Sequence, residues 1–236
     1  MPTEDLIIGS QAAPVPAVLA GPAEARGGVV VLHEAFGLTT HIRSICERLA
    51  AAGYLAIAPA LFHRAGAPVI DYSRMDLARP LMDELDVAGL EGDIASSVAY
   101  LKDAGLPPGR IAVLGFCMGG SVALYASTVF GLGAAVTFYG GGVSTGRFGM
   151  PPLKDLGPEI GCPWLGLFGA QDHTIAPEDI EALRAAVAKS PAETELVCYP
   201  EAGHGFNCDE RASFVPSAAA DAWRRTLDFL DAHLTV

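Results

Sequence analysis

The stretch Gly115-Phe116-Cys117-Met118-Gly119-Gly120 constrains this chain more than any other. It follows directly on Arg110 to Leu114 (RIAVL), an apolar, partly β-branched run suited to a buried strand. It leads into a helical pattern, SVALYA, that starts at about Met118. Passing from strand to helix in so few residues demands a sharp turn, and glycines two residues to either side of Cys117 let backbone segments approach closely. Such a turn carries its central side chain out beyond the end of the sheet, onto the N-terminus of a helix. The partial positive charge there favours a thiolate, and the N–H of Met118 points to where an oxyanion would form. A G-x-nucleophile-x-G turn between strand and helix has this geometry. The plainer alternative is a buried structural cysteine in a glycine-rich turn; the strand before it and the helix after it favour the nucleophile.

The rest of the chain repeats the alternation. Apolar runs at Gly28 to His33, Tyr54 to Ala58, Ala134 to Tyr139, Trp164 to Phe168 and Glu195 to Tyr199 read as strands. Helical spacing marks Thr40 to Ala52, Gly92 to Ala104, Pro177 to Lys189 and Ser217 to His233. Strands alternating with helices predict an α/β class with a mostly parallel central sheet and helices on both faces. At 236 residues, one α/β domain spanning 1–236 is expected. Two stretches break the rhythm. Phe62 to Glu91 reads as a small cap, and Gly140 to Gly161, rich in Gly and Pro, reads as a long loop of the kind that is often functional.

A thiol nucleophile needs a base, and the base needs an orienting group. On a strand–turn–helix nucleophile the chain order is nucleophile, acid, histidine. Asp172 follows the strand Trp164 to Phe168 in Gly169-Ala170-Gln171-Asp172, and His204 follows the last strand in Gly203-His204-Gly205. Both fall at strand ends, the edge that carries ligand sites in open α/β sheets. Of the other histidines, His41 reads as a helix start, His233 as a helix end, and His173 lacks an acid in the right order. For Asp172 the competing role is a turn residue ahead of Pro177.

Charge and cysteine usage exclude several classes. The formal net charge of −12 repels nucleic acid and anionic membrane, so neither is an expected partner. The five cysteines are scattered, odd in number and without a C-x-x-C pair, which fits a reduced compartment. The start of the chain lacks the basic and apolar pattern of a signal peptide. A cytoplasmic protein is expected.

These motifs resemble the dienelactone hydrolase family (carboxymethylenebutenolidases) of the α/β-hydrolase fold. The resemblance runs from about Val29 to Leu234 and rests on HEAFGL after the first buried run, GDI, GFCMGG, GAQDH and EAGHGF. It implies a catalytic Cys117, His204 and Asp172, and a role for Glu34 of HEAFGL beside the thiol, influencing its ionisation when substrate binds. A carboxylate there would discourage a permanent thiolate and protect Cys117 from oxidation at rest. The resemblance also makes the Ala35 N–H the second oxyanion donor, next to Met118. It implies hydrolysis of a small ester or lactone, with no cofactor and no metal.

The sequence departs from the family at the substrate's carboxylate. The well-studied enzymes hold it with arginines, one soon after the catalytic histidine; here His204 is followed by Gly205-Phe206-Asn207-Cys208-Asp209-Glu210-Arg211. Arg74 and Arg79 lie in the cap stretch and could serve in its place, while Arg79 and Arg211 read more readily as surface residues than as ligands. Phe36, Tyr139 and Phe206 adjoin the motifs and could shape an apolar pocket, but read more readily as core. Three other readings use the same residues. They are a hydrolase-fold protein that only binds a ligand, a redox protein using Cys117, and a metal site built on Cys198, His204 and Cys208. The last has none of the tight spacings of known metal motifs. The sequence does not give the oligomeric state.

Overall fold

The computed structural model describes residues 1–234 and forms one eight-stranded sheet. In chain order the strands are β1 Glu4–Ser10, β2 Ala13–Ala20, β3 Gly28–Leu32, β4 Leu55–Pro59, β5 Ile111–Phe116, β6 Ala134–Phe138, β7 Trp164–Gly169 and β8 Thr194–Tyr199. Their order across the sheet is β1-β2-β4-β3-β5-β6-β7-β8. The pairs from β4 to β8 are parallel, and β1 and β2 add an antiparallel flank. Every residue of β3, β4, β5, β6 and β7 is buried, as strands covered on both faces must be.

The helices are α1 Thr40–Ala51, α2 Met75–Asp83, α3 Val87–Asp103, α4 Met118–Val129, the short α5 Leu153–Leu156, α6 Pro177–Val187 and α7 Pro216–His233. α1 and α7 lie together, with the Arg48 guanidinium 3.9 Å from the centre of the Trp223 ring. α3 packs against α4, and α5 bridges α4 and α6 on the opposite face. α1 carries the chain from β3 to β4 in one direction, and α3 brings it back past β3 to β5. The sheet therefore has a switch point between β3 and β5, where the loops leaving the two strands diverge and open a crevice.

Six of the eight strands stand where the sequence predicts them, within a residue or two. The flank β1–β2 was not anticipated. α3 begins at Val87 rather than Gly92, capped by Asp86, whose carboxylate accepts the Gly89 N–H at 2.7 Å. The stretch Phe62 to Glu91 contains a helix of its own, α2, with Pro80 inside it. Buried Asp93 of the GDI motif fixes the start of this region: it accepts from Arg64 at 2.8 Å and contacts His63 Nε2 at 3.1 Å. Among the described residues no helix is long and apolar enough to cross a membrane.

Candidate active site

The crevice is built from loops that follow five parallel strands. Glu34 and Ala35 follow β3, Cys117 follows β5, Tyr139 to Gly142 follow β6, Asp172 and Thr174 follow β7, and His204 follows β8. Because β3 and β5 are direct neighbours, the Glu34 loop meets the Cys117 turn.

Cys117 sits between β5 and α4 with φ 54° and ψ −116°, a region that side chains other than glycine rarely occupy. Its neighbours explain the glycines. A Cβ on Gly115 would lie 1.9 Å from the Gly119 carbonyl oxygen, and one on Gly119 would lie 2.2 Å from the Leu32 carbonyl oxygen. The turn is pinned to β6, where the Cys117 N–H donates to the Phe138 carbonyl at 3.0 Å. Met118 provides the first N–H of α4, a position with no helical acceptor. Among the described residues the Ala35 N–H also has no backbone acceptor. Ala35 and Met118 thus lie just beyond the ends of the neighbouring strands β3 and β5.

His204 Nδ1 donates to Asp172 Oδ2 at 2.7 Å. Asp172 Oδ1 accepts from the Thr174 N–H at 2.8 Å and from the Thr174 hydroxyl at 2.7 Å, so the carboxylate is held on both oxygens. Tyr139 packs on the imidazole with ring centres 5.1 Å apart. His204 also lies within hydrogen-bond reach of the Cys117 sulfur. Burial pushes the Cys117 thiol up, but the charge on His204 and a hydrogen bond from it outweigh burial, and the thiol falls below its ordinary value. Burial also disfavours the His204 cation, yet the Cys117 charge and the Asp172 hydrogen bond carry it up to about 10. Burial raises the Asp172 carboxyl, and its bonds from His204 and Thr174 more than reverse that. The shifts are coupled: the charges on Cys117, His204 and Asp172 each favour the ionised form of the neighbour.

Glu34 is 1% exposed and lies within this cluster. Its charge pushes the Cys117 thiol up, against the opposing influence of His204. Glu34 is paired with a residue that the sequence places on the surface: Arg211 Nη1 reaches Glu34 Oε1 at 3.3 Å. The Tyr139 hydroxyl donates to the same oxygen at 3.4 Å. Arg211 reaches inward because Gly205, at φ 76°, has no Cβ; one there would sit 2.3 Å from Arg211 Nη1. Its guanidinium lies over Phe36 and Tyr72. Arg74 instead pairs with Asp76 on the exterior, and Arg79 is exposed.

Phe36, Tyr139 and Phe206 are fully buried, so the core reading was right, although Tyr139 also touches Glu34 and His204. Buried His33 accepts the Leu61 N–H at Nε2 and donates from Nδ1 to the Glu34 carbonyl, and burial lowers it to about 4. As a neutral strut it fixes the backbone of the Glu34 loop. Sequence reasoning missed His33, Thr174 and Arg211. Of these only Thr174 carried a local signal, the Asp-x-Thr turn. His41 begins α1 as expected but is buried, 3.5 Å from Asp209. Cys208 points to the Tyr72 hydroxyl at 3.4 Å. Among the described residues no group of three or more His, Cys, Asp or Glu is arranged to hold a metal ion. A cleft of about 460 Å³ opens at His204, between Thr174, Gly203 and Phe214.

Comparison with known proteins identifies the family and the fold. A Yersinia pestis protein named "putative carboxymethylenebutenolidase" is 38% identical over 232 residues, covering 96% of this chain and 86% of its own. The Rhodococcus opacus carboxymethylenebutenolidase is 31% identical over 214 residues, with 88% and 82% covered. The crystal structure of a "putative dienelactone hydrolase" from Klebsiella pneumoniae superposes with a TM-score of 0.87 at 35% identity, covering 97% of this chain and 98% of the other. The sheet is that of the α/β-hydrolase fold, and residues 15–234 match the model of the dienelactone hydrolase family. The chain belongs to the dienelactone hydrolase family.

Proposed function

We propose that this hydrolase cleaves a small carboxylic ester or lactone with Cys117 as nucleophile, His204 as general acid and base, and Asp172 as the group that orients His204. The observation that carries the proposal is the line from Asp172 through His204 to a cysteine held at positive φ on the strand–helix turn. The Cys117 thiolate attacks the carbonyl carbon, and the carbonyl electron pair moves onto oxygen, facing the N–H groups of Ala35 and Met118. As the tetrahedral intermediate collapses, the carbon–oxygen bond breaks and the leaving oxygen takes the proton from His204. A thioester remains. Water gives a proton to His204 and attacks the thioester; collapse releases the acid and restores the thiolate.

The chemistry needs no cofactor or metal. The proposed substrate is a small molecule rather than a nucleic acid or membrane, in keeping with the net charge of −12. The relatives are named for a butenolide, which favours an enol-lactone among the candidates. The reading places the protein in the cytoplasm and treats 1–236 as one domain.

Hydrolysis of a short-chain chromogenic ester and of a small enol-lactone tests this, comparing wild type with Cys117→Ser and Cys117→Ala. Activity that collapses in the Ala variant is expected, and the ratio of the two substrates assigns ester or lactone. Equal activity in wild type and Cys117→Ala refutes the mechanism.

A further inference from the structure

Most guanidinium groups of this acidic protein are matched to carboxylates: Arg26 to Asp231, Arg43 to Asp5, Arg64 to Asp93, Arg211 to Glu34. Arg147 is different. It lies in the long stretch between β6 and α5, half-buried, and among the described residues no carboxylate pairs with it. Its own contact is the face of Phe148, 4.6 Å from the ring centre.

The surrounding backbone is shaped to present it. Arg147 and Met150 form an isolated antiparallel bridge, closed by the Met150 N–H donating to the Arg147 carbonyl at 2.9 Å. Phe148 in this turn has φ 55°, a strained value for a side chain of that size. The Arg147 side chain lies across the Gly141–Gly142 backbone. A Cβ on Gly141 would be 3.3 Å from Nη1, and one on Gly142 would be 3.2 Å from Cγ and Cδ. That same glycine segment is fastened to the nucleophile turn. Ser121 of α4 donates its hydroxyl to the Gly141 carbonyl at 2.8 Å, and Gly140 packs on the backbone of Gly120 and Ser121. The guanidinium is therefore built onto the scaffold that holds Cys117.

We propose that Arg147 is a positioning residue for the nucleophile, a second cation that, with His204, keeps Cys117 in its thiolate form against the opposing charge of Glu34. This rests on the proposed role of Cys117. The charged and titratable groups around the sulfur are His204 after β8, Glu34 after β3, Arg147 and Tyr139 after β6, and Arg211 in the turn that follows His204. Arg211 is engaged by Glu34, which leaves Arg147 as the unmatched cation of the group. The coupling runs both ways. Burial is the main influence lowering Arg147, and the Cys117 charge is what opposes it.

The test follows alkylation of Cys117 by iodoacetamide, a neutral probe, read on the Cys117 peptide by mass spectrometry across pH. Arg147→Gln is expected to slow alkylation roughly tenfold on the acidic limb, a loss typical of removing one nearby opposite charge. Arg147→Lys is expected to restore most of the rate. Circular dichroism checks that each variant is folded, and Arg147→Met provides a second neutral replacement with a comparable stem. An unchanged alkylation profile in a folded neutral variant overturns the proposal. So does an unchanged profile with a raised KM for anionic esters alone, which would assign Arg147 to the substrate. Alkylation reads the thiolate without turnover, so failure of the hydrolytic mechanism would show separately, as activity retained in Cys117→Ala.

Discussion

Replacing Arg211 by Met removes the cation from a carboxylate that has little else. Glu34 is 1% exposed; its Oε2 has no hydrogen-bond partner, and its Oε1 would keep only the Tyr139 hydroxyl at 3.4 Å. The Arg211 side chain is 19% exposed, so solvent screens the pair only in part. Breaking such a pair strands a buried charge, at a cost of about 3 kcal/mol. For a chain of this size that is roughly 6–12 °C in the thermal midpoint. The Met stem keeps apolar contact with Phe36 and Tyr72, so the loss reports charge rather than a cavity. Chemical denaturation of wild type, Arg211→Met, Glu34→Gln and the double variant completes a cycle. The double variant is expected to be more stable than the sum of the single losses by at least about 1 kcal/mol. A single-variant loss below about 0.5 kcal/mol, with additive behaviour, would refute the claim that Arg211 offsets Glu34.

Three further outcomes follow from the site. His204 is raised from 6.5 to about 10, so the stability this shift contributes is complete below 6.5 and lost as pH climbs through about 10. The stability difference between wild type and His204→Gln should therefore shrink over that window in denaturation curves; a difference that grows would reverse the assignment. Gly119→Ala drives a Cβ to 2.2 Å from a backbone oxygen on β3, and is expected to cost at least about 3 kcal/mol and most of the activity. A soluble, fully active Gly119→Ala protein would contradict the packing at the turn. Thr174→Val removes the hydroxyl that holds Asp172 Oδ1; kcat/KM should fall roughly tenfold, the equivalent of one hydrogen bond to a charged group, with little change in the melting profile.

The parallel sheet was legible because its strands are apolar throughout and each is followed by a helix or a turn. The flank β1–β2 was not, and Pro14 and Pro16 show why. Prolines argue against a strand in the middle of a sheet. Yet β2 pairs with β4 only from Ala17 to Ala20, so both prolines precede that ladder. The Pro16 carbonyl faces the Ala60 N–H, which puts the N–H it lacks on that side as well, away from β1. The Cys117 turn and the two strand-end motifs could be read because each joins unusual residues to a strand boundary. Arg211 could not. Nothing local distinguishes an arginine beside Asp209 and Glu210 from a surface residue; its burial is decided by the absent Cβ at Gly205 and by Glu34, far away in the chain.

β8 closes the sheet at one edge, with β7 as its single neighbour and with only Leu196 and Tyr199 buried along its length. His204, the proposed base, hangs from that strand, whereas the Cys117 thiol rests on the fully buried β5. The two halves of the chemistry thus have unequal anchorage. Edge elements open with less free energy than central ones, so warming should detach His204 while Cys117 is still in place. Turnover is then expected to fade several degrees below the loss of the central sheet, and the early damage to be reversible on cooling.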